Sequence, residues 1–168
     1  ESVTGRYELG DFKLQSDSVL KDAFIGFRSY GSLNESRDNV IVFPTWYTGL
    51  NNQVEPYIGP GKALDPNKYF IVIPDMFTNG SSTSPSNAQD IHKGLNFPLV
   101  TPFDNVRALR RLVEENFGIT SVELMVGFSM SGQQAYHWAA LHSDLLKRAC
   151  SICGTSKTSP HNLSLIHI

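Results

Sequence analysis

The feature that most constrains the fold is a stretch that reads as a buried strand, a sharp turn and a helix of small residues, at residues 122–135. Its turn carries Ser129 in the pattern Gly-x-Ser-x-Ser, and Gly132 follows directly. A serine exposed on a tight turn between a sheet strand and a helix is the layout of a nucleophile elbow. Short glycine–serine patterns also arise as ordinary turns, so the surrounding chain has to decide between the two interpretations.

Apolar, strand-like segments recur along the chain. Continuous apolar runs at residues 40–43 and 69–75 are typical of strands covered on both faces. Residues 6–14 and 23–30 alternate in polarity around a turn signal at residues 16–18, which predicts a hairpin-like pair. With residues 122–128 and residues 148–154, six strands are predicted.

A helix is predicted from residue 101 to residue 117, with Thr101 as N-cap, Pro102 at the first helical position and Asp104 at the third. A second helix follows Ser129. Any helix within residues 57–64 is short, because that segment contains a Gly-Pro-Gly run. Strands alternating with helices predict an α/β fold: a mostly parallel sheet with helices on both faces, ending after about its sixth strand.

Ligands of such sheets bind at the carboxyl ends of the strands. The loop after Pro44, the end of the next strand at Asp75, and Ser129 all fall at that edge. For Asp75, the favoured interpretation is capping of a turn rather than chemistry. Residues 76–100 form a long polar loop without periodicity, and loops of this kind are more often functional than incidental.

A serine nucleophile needs a histidine to accept its proton and an acid to orient that histidine. It also needs donors for the oxyanion of the tetrahedral intermediate. One donor in an elbow is the amide after the nucleophile, here Met130. The second comes from the loop after an earlier strand, which favours Tyr47, with Trp46 as the alternative.

Composition excludes several other classes of function. The 168 residues carry a formal net charge of −2, which gives no reason to expect nucleic acid or an anionic membrane as a partner. No apolar run is long enough to cross a bilayer, so a cytoplasmic protein is expected. The chain begins at Glu1, and the sequence therefore leaves a targeting leader open.

Cys150 and Cys153 form a C-x-x-C, yet no further Cys or His lies at ligand spacing, so no metal site is predicted. Both cysteines are expected to be buried core residues. His137 and His142 lack the spacing and the glutamate of a zinc-protease helix. No glycine motif that would cradle phosphates identifies a cofactor site, and the cofactor-binding residues stay unknown.

Beyond the elbow, the sequence resembles the homoserine O-acetyltransferase-like branch of the α/β-hydrolase superfamily. The matching stretches are residues 57–70, 97–101, 104–108, 126–130 and 152–162. The resemblance implies that Ser129 is the nucleophile of a Ser-Asp-His triad and moves an acetyl group from acetyl-CoA to the hydroxyl of homoserine through an acyl-enzyme. It implies small-molecule substrates, acetyl-CoA as donor rather than a permanently bound cofactor, and a homodimer as an assembly open to the full-length protein.

The sequence departs from the family in two respects. Ser131 stands where the elbow usually has glycine. The family also places its triad Asp and His well downstream of the elbow, whereas Asp144 lies too close to it and neither His161 nor His167 fits. We therefore expect residues 1–162 to be the amino-terminal part of one α/β-hydrolase domain, residues 163–168 to be a tail unlike the family, and this chain alone to be inactive.

The resemblance leaves the reaction open. An acyltransferase acting on an amino-acid hydroxyl is the leading prediction. A serine esterase on the same fold and a non-catalytic α/β module are the alternatives, because nothing in these residues identifies the acyl acceptor.

Overall fold

The computed structural model describes residues 1–160, which form one six-stranded sheet. The strands are β1 (Ser2–Lys13), β2 (Val19–Tyr30), β3 (Val40–Val42), β4 (Phe70–Pro74), β5 (Val122–Phe128) and β6 (Ala149–Ile152). Their spatial order is β1-β2-β4-β3-β5-β6. The pairs β4·β3, β3·β5 and β5·β6 are parallel, while β1·β2 and β2·β4 are antiparallel. The predicted α/β fold with a mostly parallel sheet is confirmed.

The first two strands form the predicted hairpin, but each is longer than its apolar alternation indicated. The turn is closed by the Leu14 amide donating to Ser18 O at 2.8 Å, and Asp17 adopts a left-handed φ of 64°. Pairing continues out to Ser2 opposite Tyr30, where the β1 side chains are exposed. The backbone ladder, rather than burial, therefore sets the outer end of β1.

Two α-helices pack on one face of the sheet: α1 (Pro102–Arg111) and α2 (Met130–Leu141). The predicted cap of α1 is confirmed, since the Thr101 hydroxyl accepts from the Asp104 amide and the Asp104 carboxylate accepts from the Thr101 amide at 3.0 Å. A short π-helical turn, Leu112–Asn116, follows α1, and Gly118, with φ 60°, lies two residues beyond its end.

Three 3-10 helices lie in the connections: Asn51–Tyr57, Asp90–His92 and Gly94–Asn96. Within residues 57–64, helical structure is limited to Tyr57, the last residue of the first of these helices. Residues 58 and 64 instead form an isolated bridge around the Gly-Pro-Gly turn.

The core has two parts, one on each face of the sheet. On β3, Val40 and Val42 face α1 and α2, while the intervening Ile41 faces Val54 of the Asn51–Tyr57 helix. Successive strand residues point to opposite faces, which explains why the run at residues 40–43 is wholly apolar. Within residues 1–160 no helix is long and apolar enough to cross a bilayer.

Strand β6 lies at one end of the sheet, and there the expectation of buried cysteines is wrong: Cys150 and Cys153 are both exposed. Among the described residues β6 pairs only with β5, so most of its side chains remain accessible. The predicted boundary after residue 162, the tail at residues 163–168, and His161 and His167 lie outside the described residues.

Candidate active site

Ser129 lies at the junction of β5 and α2 in a strained backbone conformation, with φ 53° and ψ −118°. Residues other than glycine rarely adopt a positive φ, and such strain concentrates at functional sites. Although β5 is largely buried, the Ser129 residue itself is exposed. Its amide donates to Ile152 O at 3.0 Å, and its carbonyl accepts from the Gln133 amide at 3.1 Å. The turn is thereby fixed between β6 and the first turn of α2.

Two glycines make this sharp turn possible. A Cβ at Gly127 would lie 2.5 Å from the Ser131 carbonyl carbon, and one at Gly132 would lie 2.7 Å from Ser151 Oγ. Neither distance is compatible with a methyl group, so the strand and helix can approach only because these positions lack side chains.

Ser131, the departure from the family pattern, has a defined contact. It is fully buried, and its hydroxyl donates to the Pro44 carbonyl at 2.6 Å. One turn further along α2, Gln134 Nε2 donates to the Thr45 carbonyl at 3.2 Å. The helix that begins after Ser129 is therefore tied directly to the loop that follows β3.

That loop and the start of α2 share a cavity of about 190 Å³. Tyr47 and Met130, the two residues predicted to donate to an oxyanion, both line it. The Met130 amide opens α2 and has no carbonyl one turn earlier within the helix to bind. The Trp46 ring instead packs against Phe43 and Phe128, with centroids 6.5 and 6.1 Å away.

The rest of the cavity is built from the long loop, the start of α1 and a second residue of α2. Its other lining residues are Met76, Thr78, Val100, Thr101, Pro102, Asn105 and Gln134. None of the described residues that line it is an Asp, Glu, Lys, Arg or His. A small, uncharged group therefore fits this space better than an ion.

At the end of β4, Asp75 is fully buried. Its carboxylate accepts from the Asn51 amide at 3.0 Å, from the Asn51 side chain, and from Asn79 Nδ2 at 2.9 Å. Burial raises the pKa of this carboxyl above its ordinary value; the hydrogen bonds from Asn51 and Asn79 and the charge of Arg28 oppose that rise. Asp75 thus binds the loop after β3 and the turn after β4 at once.

His137 lies on α2, eight positions after Ser129, and lines a different cavity together with Gln133 and Thr158. The acid and the histidine just beyond α2 are engaged elsewhere. Asp144 accepts from Arg110 Nη2 at 2.8 Å, and His142 Nδ1 lies 2.8 Å from Arg110 Nη1. Both residues follow the carboxyl end of α2, about 18 Å along the helix axis from Ser129. Burial is the main reason that the pKa of His142 is lowered, and the nearby Arg110 adds to it. These groups form a surface ion-pair cluster apart from Ser129.

Sequence reasoning missed Gln134, Asn51 and Asn79 as parts of this site. Gln134 follows Ser131 by three positions on α2, so helical spacing could have placed the two on one face. Asn51 and Asn79 lie 24 and four positions from Asp75, and only the fold brings the distant residue to this carboxylate.

Comparison with known proteins gives a consistent family. The family described as alpha/beta hydrolase fold matches residues 38–166. A probable esterase from Corynebacterium glutamicum is 40% identical over 95% of this chain and 47% of its own length. An ethyl acetate hydrolase from Pseudomonas veronii is 39% identical over 100% of the chain and 49% of its own length. The chain spans about half the length of the curated relatives it matches.

Solved structures and more distant relatives extend the comparison. The structure of the acetyl esterase MekB superimposes with a TM-score of 0.95 at 37% identity, covering 98% of this chain and 48% of that one. A homoserine O-acetyltransferase from Methanosalsum zhilinae is 31% identical over 92% of the chain and 34% of its own length. Both enzyme types are therefore relatives, and the esterases share more of the sequence.

Proposed function

The chain belongs to the α/β-hydrolase fold family, and we propose that the whole protein is a serine esterase that hydrolyses esters of short, uncharged acids through Ser129. One observation carries the proposal. Ser129 is exposed in a strained turn directly before Met130, which with Tyr47 lines a small cavity whose described lining carries no charged side chain. The geometry suits attack on a carbonyl whose acyl group occupies that cavity.

In this mechanism the Ser129 hydroxyl attacks the ester carbonyl and loses its proton to a histidine base. The amides of Met130 and Tyr47 donate to the oxyanion that forms, and each such donor contributes about 3 kcal/mol to transition-state stabilisation. The amino end of α2 favours the same negative charge. The alcohol leaves, and water then releases the acid from the acyl-enzyme. We place the histidine and its acidic partner outside this chain, because His142 and Asp144 bind Arg110 and His137 lines a different cavity.

Two observations support hydrolysis over transfer. The relatives of about 40% identity are named as esterases, and the described cavity offers no cation for the phosphates or the carboxylate of charged substrates. Transfer of an acetyl group from acetyl-CoA to homoserine is the second candidate, favoured by the shared stretches at residues 57–70 and 152–162 and by a relative 31% identical.

The test uses the full-length protein with p-nitrophenyl acetate, p-nitrophenyl octanoate, and acetyl-CoA with and without homoserine. We expect hydrolysis of the acetate ester, much slower turnover of the octanoate, and CoA release that homoserine does not change. Ser129→Ala should lower hydrolysis at least about a thousandfold. Ser86→Ala, at an exposed serine in the long loop, is the matched control and should keep full activity.

The results of these assays distinguish the esterase from the alternative functions. Homoserine-dependent CoA release with slow ester hydrolysis would favour the transferase, and full activity in Ser129→Ala would remove the elbow from the mechanism. A transcript without an Asp and a His beyond Asn162 would favour the non-catalytic module. The cytoplasmic location, acetyl-CoA as donor and the homodimer remain predictions.

A further inference from the structure

The loop that carries Tyr47 is anchored on both sides of that residue. On the near side, the Thr45 amide donates to Pro74 O at 3.0 Å. On the far side, the Gly49 carbonyl accepts from Asn79 Nδ2 at 3.2 Å, and the Asn51 amide donates to Asp75 Oδ1 at 3.0 Å. Between these anchors, the Tyr47 residue is 62% exposed. The position of its amide therefore depends on how firmly the flanks are held.

Asp75 is the centre of the far anchor. Its two oxygens accept from the backbone and the side chain of Asn51, and one of them also accepts from Asn79. The same Asn79 side chain reaches Gly49 O and Thr45 Oγ1, the latter at 3.4 Å. Three residues of the loop are thus tied to one carboxylate, directly or through one amide.

Holding a loop with a buried carboxylate costs free energy. Burying an anion is unfavourable unless a cation pairs with it. Arg28 of β2 is the cation whose charge acts on Asp75, yet Arg28 itself lies 3.8 Å from Glu55 of the Asn51–Tyr57 helix. What distinguishes a carboxylate here is that it only accepts hydrogen bonds, and the three groups that converge on it all donate.

We propose that Asp75 is a positioning residue of the reaction: by accepting from Asn51 and Asn79, it fixes residues 45–51 so that the Tyr47 amide points at the oxyanion. The proposal rests on the proposed function, because it assigns Tyr47 a role in that chemistry. Asp75 touches neither substrate nor Ser129 and acts through the loop.

The test exchanges the donor and the acceptor. Asp75→Asn places an amide opposite the Asn51 amide, and Asn51→Asp places a carboxylate opposite Asp75. The double variant Asp75→Asn/Asn51→Asp restores one donor and one acceptor with their places exchanged. Asp65→Asn is the matched control, because Asp65 is also buried and accepts from the Gly61 and Asn67 amides at 2.9 and 3.0 Å in a turn of its own.

In the full-length protein, each single variant should lower kcat for the acetate ester roughly tenfold to hundredfold with KM within about twofold, since the lost contact acts in the transition state. The double variant should recover most of kcat, and Asp65→Asn should leave kcat unchanged. Hydrogen exchange of a peptide spanning residues 44–51 should accelerate in both single variants and return towards the native rate in the double variant.

A double variant that recovers neither kcat nor slow exchange, whether it folds or not, overturns the proposal. So does a loss of kcat in Asp65→Asn as large as in Asp75→Asn, because the effect would then be general destabilisation. If Ser129→Ala keeps full activity, the proposed function fails on its own. The exchange pattern still decides whether Asp75 fixes the loop.

Discussion

Two residues at the carboxyl edge of the sheet, Ser129 and Asp75, have an uncommon backbone conformation and a buried charge, respectively. Ser129 has a positive φ, which costs on the order of 1–3 kcal/mol for a residue with a side chain. Asp75 is a fully buried carboxylate. Both lie beside the cavity or hold the loop that lines it, and both are explained by the chemistry proposed for that edge.

The charge of Asp75 should be visible in the pH dependence of stability. Burial raises the pKa of Asp75 above its ordinary value of 3.8, so over the window between the two values the folded state holds a proton that the unfolded state has lost. The stability that Asp75 contributes is therefore full below the ordinary value and falls as pH rises through the raised one. Relative to Asp75→Asn, the native protein should lose unfolding free energy over that window in urea titrations.

The pKa of Asp65 is shifted in the opposite direction from that of Asp75. Hydrogen bonds from the Gly61 and Asn67 amides lower the pKa of Asp65, so its contribution is lost only as pH falls below its ordinary value. The difference between native protein and Asp65→Asn should be flat over the window in which Asp75 titrates. Parallel slopes for the two variants would contradict the assignment of a raised pKa to Asp75. Arg28 and Glu55, the charged groups near Asp75, are unchanged in both variants.

At the scale of elements, the elbow depends on how closely β5 and α2 approach. Gly127→Ala would place a methyl group 2.5 Å from the Ser131 carbonyl carbon, and overpacking of this kind costs about 3 kcal/mol. We expect that loss of unfolding free energy together with loss of esterase activity, because the clash displaces the turn that holds Ser129.

Gly61→Ala is the control for this variant, since Gly61 has a left-handed φ of 77° but open space around it. It should cost only about 1–2 kcal/mol of backbone strain and leave turnover unchanged. Equal losses of stability and activity in the two variants, measured by urea unfolding and ester hydrolysis, would show that the contact with Ser131 is not what limits this position.

Local patterns predicted the elements well, because they depend on neighbours in the sequence. The apolar run at residues 40–43 predicted β3, and Thr101 with Asp104 predicted the start of α1. The spatial order β1-β2-β4-β3-β5-β6 was not predicted, since it depends on pairings between distant segments. Cys150 was misjudged for a related reason: its burial depends on what lies beside β6, not on its own residue type.

In the candidate site, too, local features were predicted from the sequence and contacts between distant segments were not. Ser129, Met130 and Tyr47 were predicted as a nucleophile and its oxyanion donors, and the structure places the last two on one cavity, although their roles remain proposals. The contacts that hold them were not predicted. Ser131 with Pro44, and Asp75 with Asn51, join residues 87 and 24 positions apart.

At the scale of the whole molecule, residues 1–160 provide the sheet, the elbow and the cavity, while the matched relatives are about twice as long as this chain. The proposed reaction therefore belongs to the full-length protein, in which a base must reach Ser129. In the proposed reaction, Ser129 becomes acylated.

The most direct test is to quench the full-length protein during turnover of p-nitrophenyl acetate and to map the acetyl group by peptide mass spectrometry. We predict one acetyl group on Ser129, present in the native protein and absent from the corresponding peptide of Ser129→Ala. An acetyl group that accumulates on another residue during turnover, with Ser129 unmodified, would contradict this prediction.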